Sequence, residues 1–183
     1  MTTYVLVIAA ACLALLGWAF ARTDLARQLV GAVLGLALVF GVVASIFEDP
    51  VTGVRHDILV LFAMVLAVAG GGVVTTAAFE TIDASRSGDT HGRTVTAAAE
   101  VLRGGAWVGG LERVAVFGAL AARWPEGVAI VLAVKGLGRY PELKVQAMAG
   151  TAERFIIGTM ISVIWAVACA YLAFAPYVLP PGR

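Results

Sequence analysis

Apolar residues in this chain come in runs long enough to cross a bilayer rather than in the alternating pattern of a water-soluble core. Tyr4 to Phe20, Leu29 to Phe47 and Ile58 to Phe79 carry no charged side chain. A hydrocarbon core of about 30 Å takes about 20 helical residues. Backbone amides find no water partners there, so such a run is helical. Two shorter runs follow, Trp107 to Ala122 and Glu126 to Arg139, separated by Arg123-Trp124-Pro125, with Pro125 suited to the first turn of the second helix and Pro141 to its end. Sixteen residues rise only about 24 Å, so this hairpin either spans with snorkelling ends or is re-entrant, and spanning is the expectation. A last run, Phe155 to Ala175, closes before Pro176.

The pattern predicts an all-α, polytopic transmembrane bundle of about six helices in a single membrane domain over 1–183, with spans near 4–20, 29–47, 58–79, 107–122, 126–139 and 155–175. The longest connection, 80–106, is polar, and within it Thr94 to Leu102 has a weakly amphipathic pattern suited to a short interfacial helix. Ala19-Phe20-Ala21 resembles a signal-peptidase site, yet Met1 to Tyr4 hold no Lys or Arg, so a retained first span is expected. Gly31 with Gly35 and Gly105 with Gly109 have the spacing of close helix packing, and Gly70-Gly71-Gly72 marks close backbone approach or local unwinding.

Composition strengthens this picture. Of 183 residues, 61% are hydrophobic and 14% charged. The 13 Lys+Arg nearly cancel the 12 Asp+Glu, which excludes the basic signature of a nucleic-acid partner. With six spans, Arg22, Arg27, Arg86, Arg93, Arg103, Arg113, Lys135, Arg139, Lys144 and Arg154 fall on one side of the membrane, and Arg55, Arg123 and Arg183 on the other. Basic residues in short loops mark the cytoplasm, which places 80–106 there and both termini outside. Tyr4, Trp124 and Tyr177 then lie at the outer edge and Trp18, Trp107 and Tyr140 at the inner one. Arg-, Ala- and Gly-rich usage points to a bacterial cytoplasmic (inner) membrane. Cys12 and Cys169 are isolated, and His56 and His91 lack a second histidine at helical spacing, so neither a metal nor a cofactor is expected.

Chemistry, if any, concentrates in the C-terminal half. Glu112, Arg113, Lys135, Arg139, Glu142, Glu153 and Arg154 approach the cytoplasmic boundary from three successive helices. A charge at the centre of a span costs about 2.5–3.5 kcal/mol on insertion scales, so it pairs, snorkels or serves function. Glu112 lies about 7–8 Å beyond Trp107 and calls for a cation, with Lys135 and Arg154 the candidates. Thr159 and Ser162 share a face of the last helix, where they either bind a ligand or bond the carbonyls of the preceding turn, the latter being expected.

Gly109-Gly110-Leu111-Glu112-Arg113, Lys135 with Arg139, and Glu153-Arg154-Phe155-Ile156-Ile157-Gly158-Thr159-Met160-Ile161-Ser162 form one ordered series. Over about 105–165 it resembles the C-terminal part of a family of uncharacterised bacterial polytopic membrane proteins, in which a Gly-x-Leu-Glu-Arg helix precedes a Lys-x-x-x-Arg segment and a Glu-x-Phe-Leu-Ile-Gly-Thr-x-x-Ser helix. The resemblance implies that Glu112, Arg113, Lys135, Arg139, Glu153, Gly158, Thr159 and Ser162 are the family's shared positions. The candidate functional cluster is therefore Glu112, Arg113, Lys135, Arg139, Glu153, Arg154, Thr159 and Ser162, with no catalytic residue singled out.

Three functions fit. The first is a non-enzymatic accessory or scaffold protein, with partner membrane subunits or a homo-oligomer in the lipid bilayer, whose charges pair between helices. The second is a small-solute or ion transporter or channel lined by Glu112 and Lys135. The third is a protein that binds or processes lipid head groups through the basic edge of Arg113, Lys135, Arg139, Lys144 and Arg154.

Overall fold

The computed structural model describes residues 1–20, 23–49, 51–86, 105–145 and 151–178. They form α1 (Thr2–Phe20), α2 (Asp24–Phe47), α3 (Val54–Val65), a π-helical turn (Leu66–Gly70) continuing into α4 (Gly71–Arg86), α5 (Gly105–Ala121), α6 (Glu126–Val145) and α7 (Thr151–Val178). The all-α bundle is as expected, and no strand occurs among the described residues. Four helices are long and apolar enough to cross a membrane: Thr2–Phe20, Asp24–Phe47, Val54–Ile82 and Ala152–Phe174. The 17 residues of α5 rise only about 26 Å, and α6 carries Lys135 and Arg139 within its length.

Helix ends differ from the apolar runs, because a helix does not stop where its hydrophobic stretch stops. The start of the expected 80–106 connection is helical as far as Arg86, and its last two residues, Gly105 and Ala106, already belong to α5. The expected interfacial helix over Thr94 to Leu102 lies outside the described residues. Pro141 and Pro176 do not end their helices: α6 runs on to Val145 and α7 to Val178. A proline removes one intrahelical bond, a loss that water at a helix end can make good. α2 begins at Asp24, five residues before its apolar run, with Thr23 Oγ1 accepting from Ala26 N at 3.3 Å as an N-cap.

The helices run up and down. Thr3, Ser45, Glu48, Leu59, Leu172 and Ala173 surround a cavity of about 20 Å³ at one end, so the starts of α1 and α3 meet the ends of α2 and α7 there. His56 and Phe174 stack edge-on at 6.3 Å at the same end. At the other end Arg27 at the start of α2 meets Glu80 late in α4, and Arg154 at the start of α7 lies over the Phe79 ring. α1, α2, the α3–π–α4 rod and α7 form the main bundle; α5 packs on α7 and the π turn, and α6 on α5.

Small residues let the rods approach. Ala10, Ala11 and Ala14 of α1, Ala63 of α3, Ala67 of the π turn and Ala166, Ala170 and Ala173 of α7 are buried. A Cβ on Gly31 would come 2.7 Å from Ala77 Cβ, which fixes the α2–α4 crossing. Gly35, its partner in the expected packing motif, faces nothing within 4 Å. Leu, Val and Phe side chains on the outer faces, such as Leu36, Phe40 and Leu61, are exposed. An outward apolar surface is what a bundle in lipid presents.

Glu48, just past α2, serves the neighbouring helix. Its Oε1 accepts from Thr2 N at 2.7 Å, its Oε2 from Thr3 N at 3.1 Å, and the Met1 ammonium lies 3.0 Å away. Two of the amide donors left open at the start of α1 are satisfied in this way. Partial burial pushes the carboxyl up, and the bonds from Thr2, the terminal ammonium and Thr3 outweigh it and hold the Glu48 pKa down at about 2. A depressed carboxylate stabilises the fold fully above its unfolded value and loses that contribution as pH falls through the folded one. Thermal unfolding in a non-ionic detergent should therefore show stability falling between about pH 4.5 and pH 2, and Glu48→Gln should be less stable by about 1–2 kcal/mol at pH 7 and flatter over that acid range.

Candidate functional site

The π turn supplies the constraint at the bundle centre. Widening one turn to i→i+5 bonding removes carbonyls from the regular ladder, and buried carbonyls without donors cost about 1–3 kcal/mol each. Leu66 O accepts from Trp165 Nε1 of α7 at 3.0 Å, and Val68 O accepts from Arg113 Nε of α5 at 3.1 Å. Both donors are nearly out of contact with solvent, Arg113 at 7% and Trp165 at 4% exposure. The glycines that suggested close approach or unwinding explain themselves here. A Cβ on Gly70 would lie 2.8 Å from Trp165 Cζ2, and one on Gly71 would lie 2.5 Å from Arg113 Cδ. Gly70 and Gly71 thus leave room for the indole and the arginine stem against the turn.

The guanidinium continues to α7, where Nη1 donates to Ser162 Oγ at 3.1 Å. One turn earlier Thr159 Oγ1 is buried and, among the described residues, without a hydrogen-bond partner. Neither hydroxyl behaves as expected. Ser45, Thr75, Thr76 and Thr81 bond carbonyls of their own helices, whereas among the described residues Ser162 accepts from Arg113 and Thr159 makes no such bond. Arg113 also departs from expectation: it points into the bundle and not to a boundary cluster with its neighbour. Successive helical residues are about 100° apart, so Glu112 is directed to a different neighbour.

Glu112 finds its cation on α6, where Lys135 Nζ donates to Glu112 Oε2, an ion pair shielded from solvent on both sides. Of the two candidate partners the structure takes Lys135. Lys135 Nζ also sits 5.7 Å from the Phe155 ring centroid, while Arg154 instead covers Phe79 at 5.2 Å. Gly158 admits that ring, since a Cβ there would come 2.9 Å from Phe79 Cζ. Arg139 is half-buried on α6 and Glu153 exposed in the first turn of α7. The side chains of Glu142 and Lys144 lie outside the described residues. The eight candidate residues therefore divide. Arg113 links the π turn to Ser162 of α7, Thr159 is buried one turn before Ser162, Glu112 and Lys135 join α5 to α6, and Arg154 packs where α7 begins.

Residues that the sequence reading passed over take part as well. Arg27 pairs with Asp24 on its own helix and has Nε 3.1 Å from Glu80 Oε1 on α4, off the direction of a hydrogen bond, so the contact is ionic. Trp165 carried a signal: a mid-span indole N–H needs an acceptor, and in lipid that acceptor is a displaced carbonyl. Cys169 is buried on α7 and Cys12 exposed on α1. Among the described residues no group of three His, Cys, Asp or Glu side chains is placed to hold a metal ion.

Comparison with family models, curated proteins and solved structures finds no match to this chain.

The π-turn contacts should dominate the response to small changes. Trp165→Phe keeps the ring and removes the donor to Leu66 O, with an expected loss of about 1–3 kcal/mol. Gly70→Ala should cost about 1–3 kcal/mol by overpacking against a ring that cannot bend, whereas Gly35→Ala should be neutral or stabilising by up to about 1 kcal/mol. Denaturant or thermal unfolding of the three variants in detergent ranks them.

Proposed function

We propose that this chain is a non-enzymatic accessory or scaffold protein of the bacterial cytoplasmic membrane. In this reading all six rods cross the bilayer, both termini lie outside, and the end carrying Arg27, Glu80 and Arg154 faces the cytoplasm. The positive-inside distribution of Lys and Arg supports that orientation. The observation that carries the functional reading is the shielded Lys135–Glu112 pair. α6 packs chiefly on α5, and the pair fastens the one to the other within a stretch where each charge alone would be costly. The charges of the C-terminal half are thereby used to hold helices together. The resemblance to a family of bacterial polytopic membrane proteins over 105–165 is compatible with a framework role of this kind, and the exposed Ile130, Val134 and Leu137 on α6 give it an apolar outer face toward lipid or a partner membrane subunit.

A charge cycle tests this. Glu112→Gln and Lys135→Met should each lower stability by about 3–5 kcal/mol, since each leaves the other charge shielded and unpaired, and the double variant should regain most of the loss. Thermal shift of the purified proteins and growth of strains carrying them are compared. A scaffold loses fold and growth phenotype together and recovers both in the double variant. Single variants that stay folded but lose the phenotype would instead make the pair a working site and overturn the reading.

A further inference from the structure

The small cavity at the end of the bundle where α1 begins has a polar wall built from oxygen. Thr3 of α1 and Ser45, Glu48 and Asp49 at the end of α2 line it, and its other lining residues are apolar, so no nitrogen-bearing side chain takes part. Thr3 is 6% exposed and Ser45 9%. Hydroxyls on helices commonly bond a carbonyl of the preceding turn. Ser45 does so, giving its proton to Val42 O at 2.7 Å, and it therefore offers lone pairs alone to any other group. Thr3 stands in the first turn of α1 and has no preceding turn to bond. Among the described residues its Oγ1 is buried without a hydrogen-bond partner, a costly state for a hydroxyl.

Charge points the same way. Glu48 and Asp49 bring two negative units to the cavity, and the Met1 ammonium, 3.0 Å from Glu48 Oε2, offsets one of them. Among the described residues no cation pairs with Asp49. Glu48 Oε2 is occupied by the ammonium and by Thr3 N, whereas Oε1 accepts from Thr2 N and keeps a lone pair. The last turn of α2, which holds Ser45, adds main-chain carbonyls that have no partner within the helix.

Size narrows the choice of occupant. About 10–15 Å³ holds one water-sized body, and the cavity offers about 20 Å³, so a hydrated ion or an organic cation exceeds it. Mg²⁺ keeps several of its waters, and Ca²⁺ takes about six to eight oxygens. One uncompensated negative unit matches a single positive one. A water molecule would satisfy the Thr3 hydroxyl and leave that unit unmatched.

We propose that a small alkali cation of the sodium class binds in this cavity, held by Thr3 Oγ1, Ser45 Oγ and the carboxylates of Glu48 and Asp49. The Glu48 cap already joins α2 to α1 there, and the ion ties the two helices a second time through Thr3 and Ser45. The stability of the bundle therefore depends on which cation is in solution at this end.

The test is thermal unfolding of the purified full chain in non-ionic detergent, titrated with sodium chloride against choline chloride at constant ionic strength, choline being too large for the cavity. Saturable stabilisation by sodium is expected, with Tm rising about 3–5 °C for each tenfold excess over its Kd. Thr3→Val keeps the shape, removes one oxygen and should lose most of the sodium response. Asp49→Asn, at an exposed position, should move the midpoint of the response to several-fold higher sodium. Broadening of the sodium NMR signal by wild type, and its reduction by Asp49→Asn, gives a second readout should Thr3→Val fail to fold. Equal unfolding curves in sodium and choline would overturn the proposal. The sign of Thr3→Val then tells a water from a bare hydroxyl, since the variant is less stable than wild type in the first case and more stable in the second. A full sodium response in Thr3→Val would overturn it by placing the ion elsewhere, and calcium acting at far lower concentration than sodium would overturn it in favour of a divalent site. None of these outcomes touches the Lys135–Glu112 cycle, which reads other helices.

Discussion

A buried π turn leaves main-chain carbonyls in apolar surroundings, and the centre of this bundle is arranged to answer them. Leu66 O and Val68 O receive an indole N–H from α7 and a guanidinium N–H from α5. Because a carbonyl in lipid has no solvent alternative, each of these bonds joins two rods that apolar contact alone would hold only by shape. The glycines follow from the same demand. Gly70 and Gly71 are required where a ring and an arginine stem must lie against backbone, and not where the helix bends for its own sake.

From that constraint the division of labour on α5 follows. Glu112 and Arg113 are neighbours in sequence, but helical geometry sends them to different partners. Arg113 turns inward to the π turn and Ser162, and Glu112 turns outward to Lys135. One short helix thereby binds both the core rods and α6. Its own length and apolarity would not secure it: 17 residues rise less than a bilayer core, and it carries two charges. Side-chain bonding to the π turn, Ser162 and Lys135 ties this helix to its neighbours.

How much of this could be read from the sequence depends on the range of the interaction. The helical class and the apolar rods were legible because each follows from a run of neighbouring residues and the thickness of the bilayer. The need of Glu112 for a cation was legible too, since the cost of a charge in a span is a local fact, and Lys135 was one of two candidates. Helix ends were not legible from hydropathy, as α4 reaching Arg86 and α7 passing Pro176 demonstrate, because backbone bonding continues where apolarity ends. The inward turn of Arg113 was hidden for a different reason. Its acceptor is a main-chain oxygen 45 residues away, exposed by a change in helical pitch, and no side-chain pattern announces a free carbonyl. The hydroxyl of Ser162 is drawn into the same distant event, since it accepts from Arg113.

Polar contacts at several depths also settle a question that apolar packing leaves open. Alanine- and glycine-lined helices in lipid can slide by a turn at small cost, since one set of small side chains fits nearly as well as the next and lipid is as apolar as the interface. A polar partner removes that freedom, much as a single buried polar residue fixes the register of a coiled coil. Here Glu48 caps the start of α1 at one end, Trp165 and Arg113 grip the π turn at mid-depth, and Arg27 meets Glu80 at the other end. A slip of one turn, about 5.4 Å, would break the contact at every level it crosses and leave charges and carbonyls unpaired in lipid. The apolar residues thus put the helices in the membrane, and a small number of polar ones determine where along each other they stop.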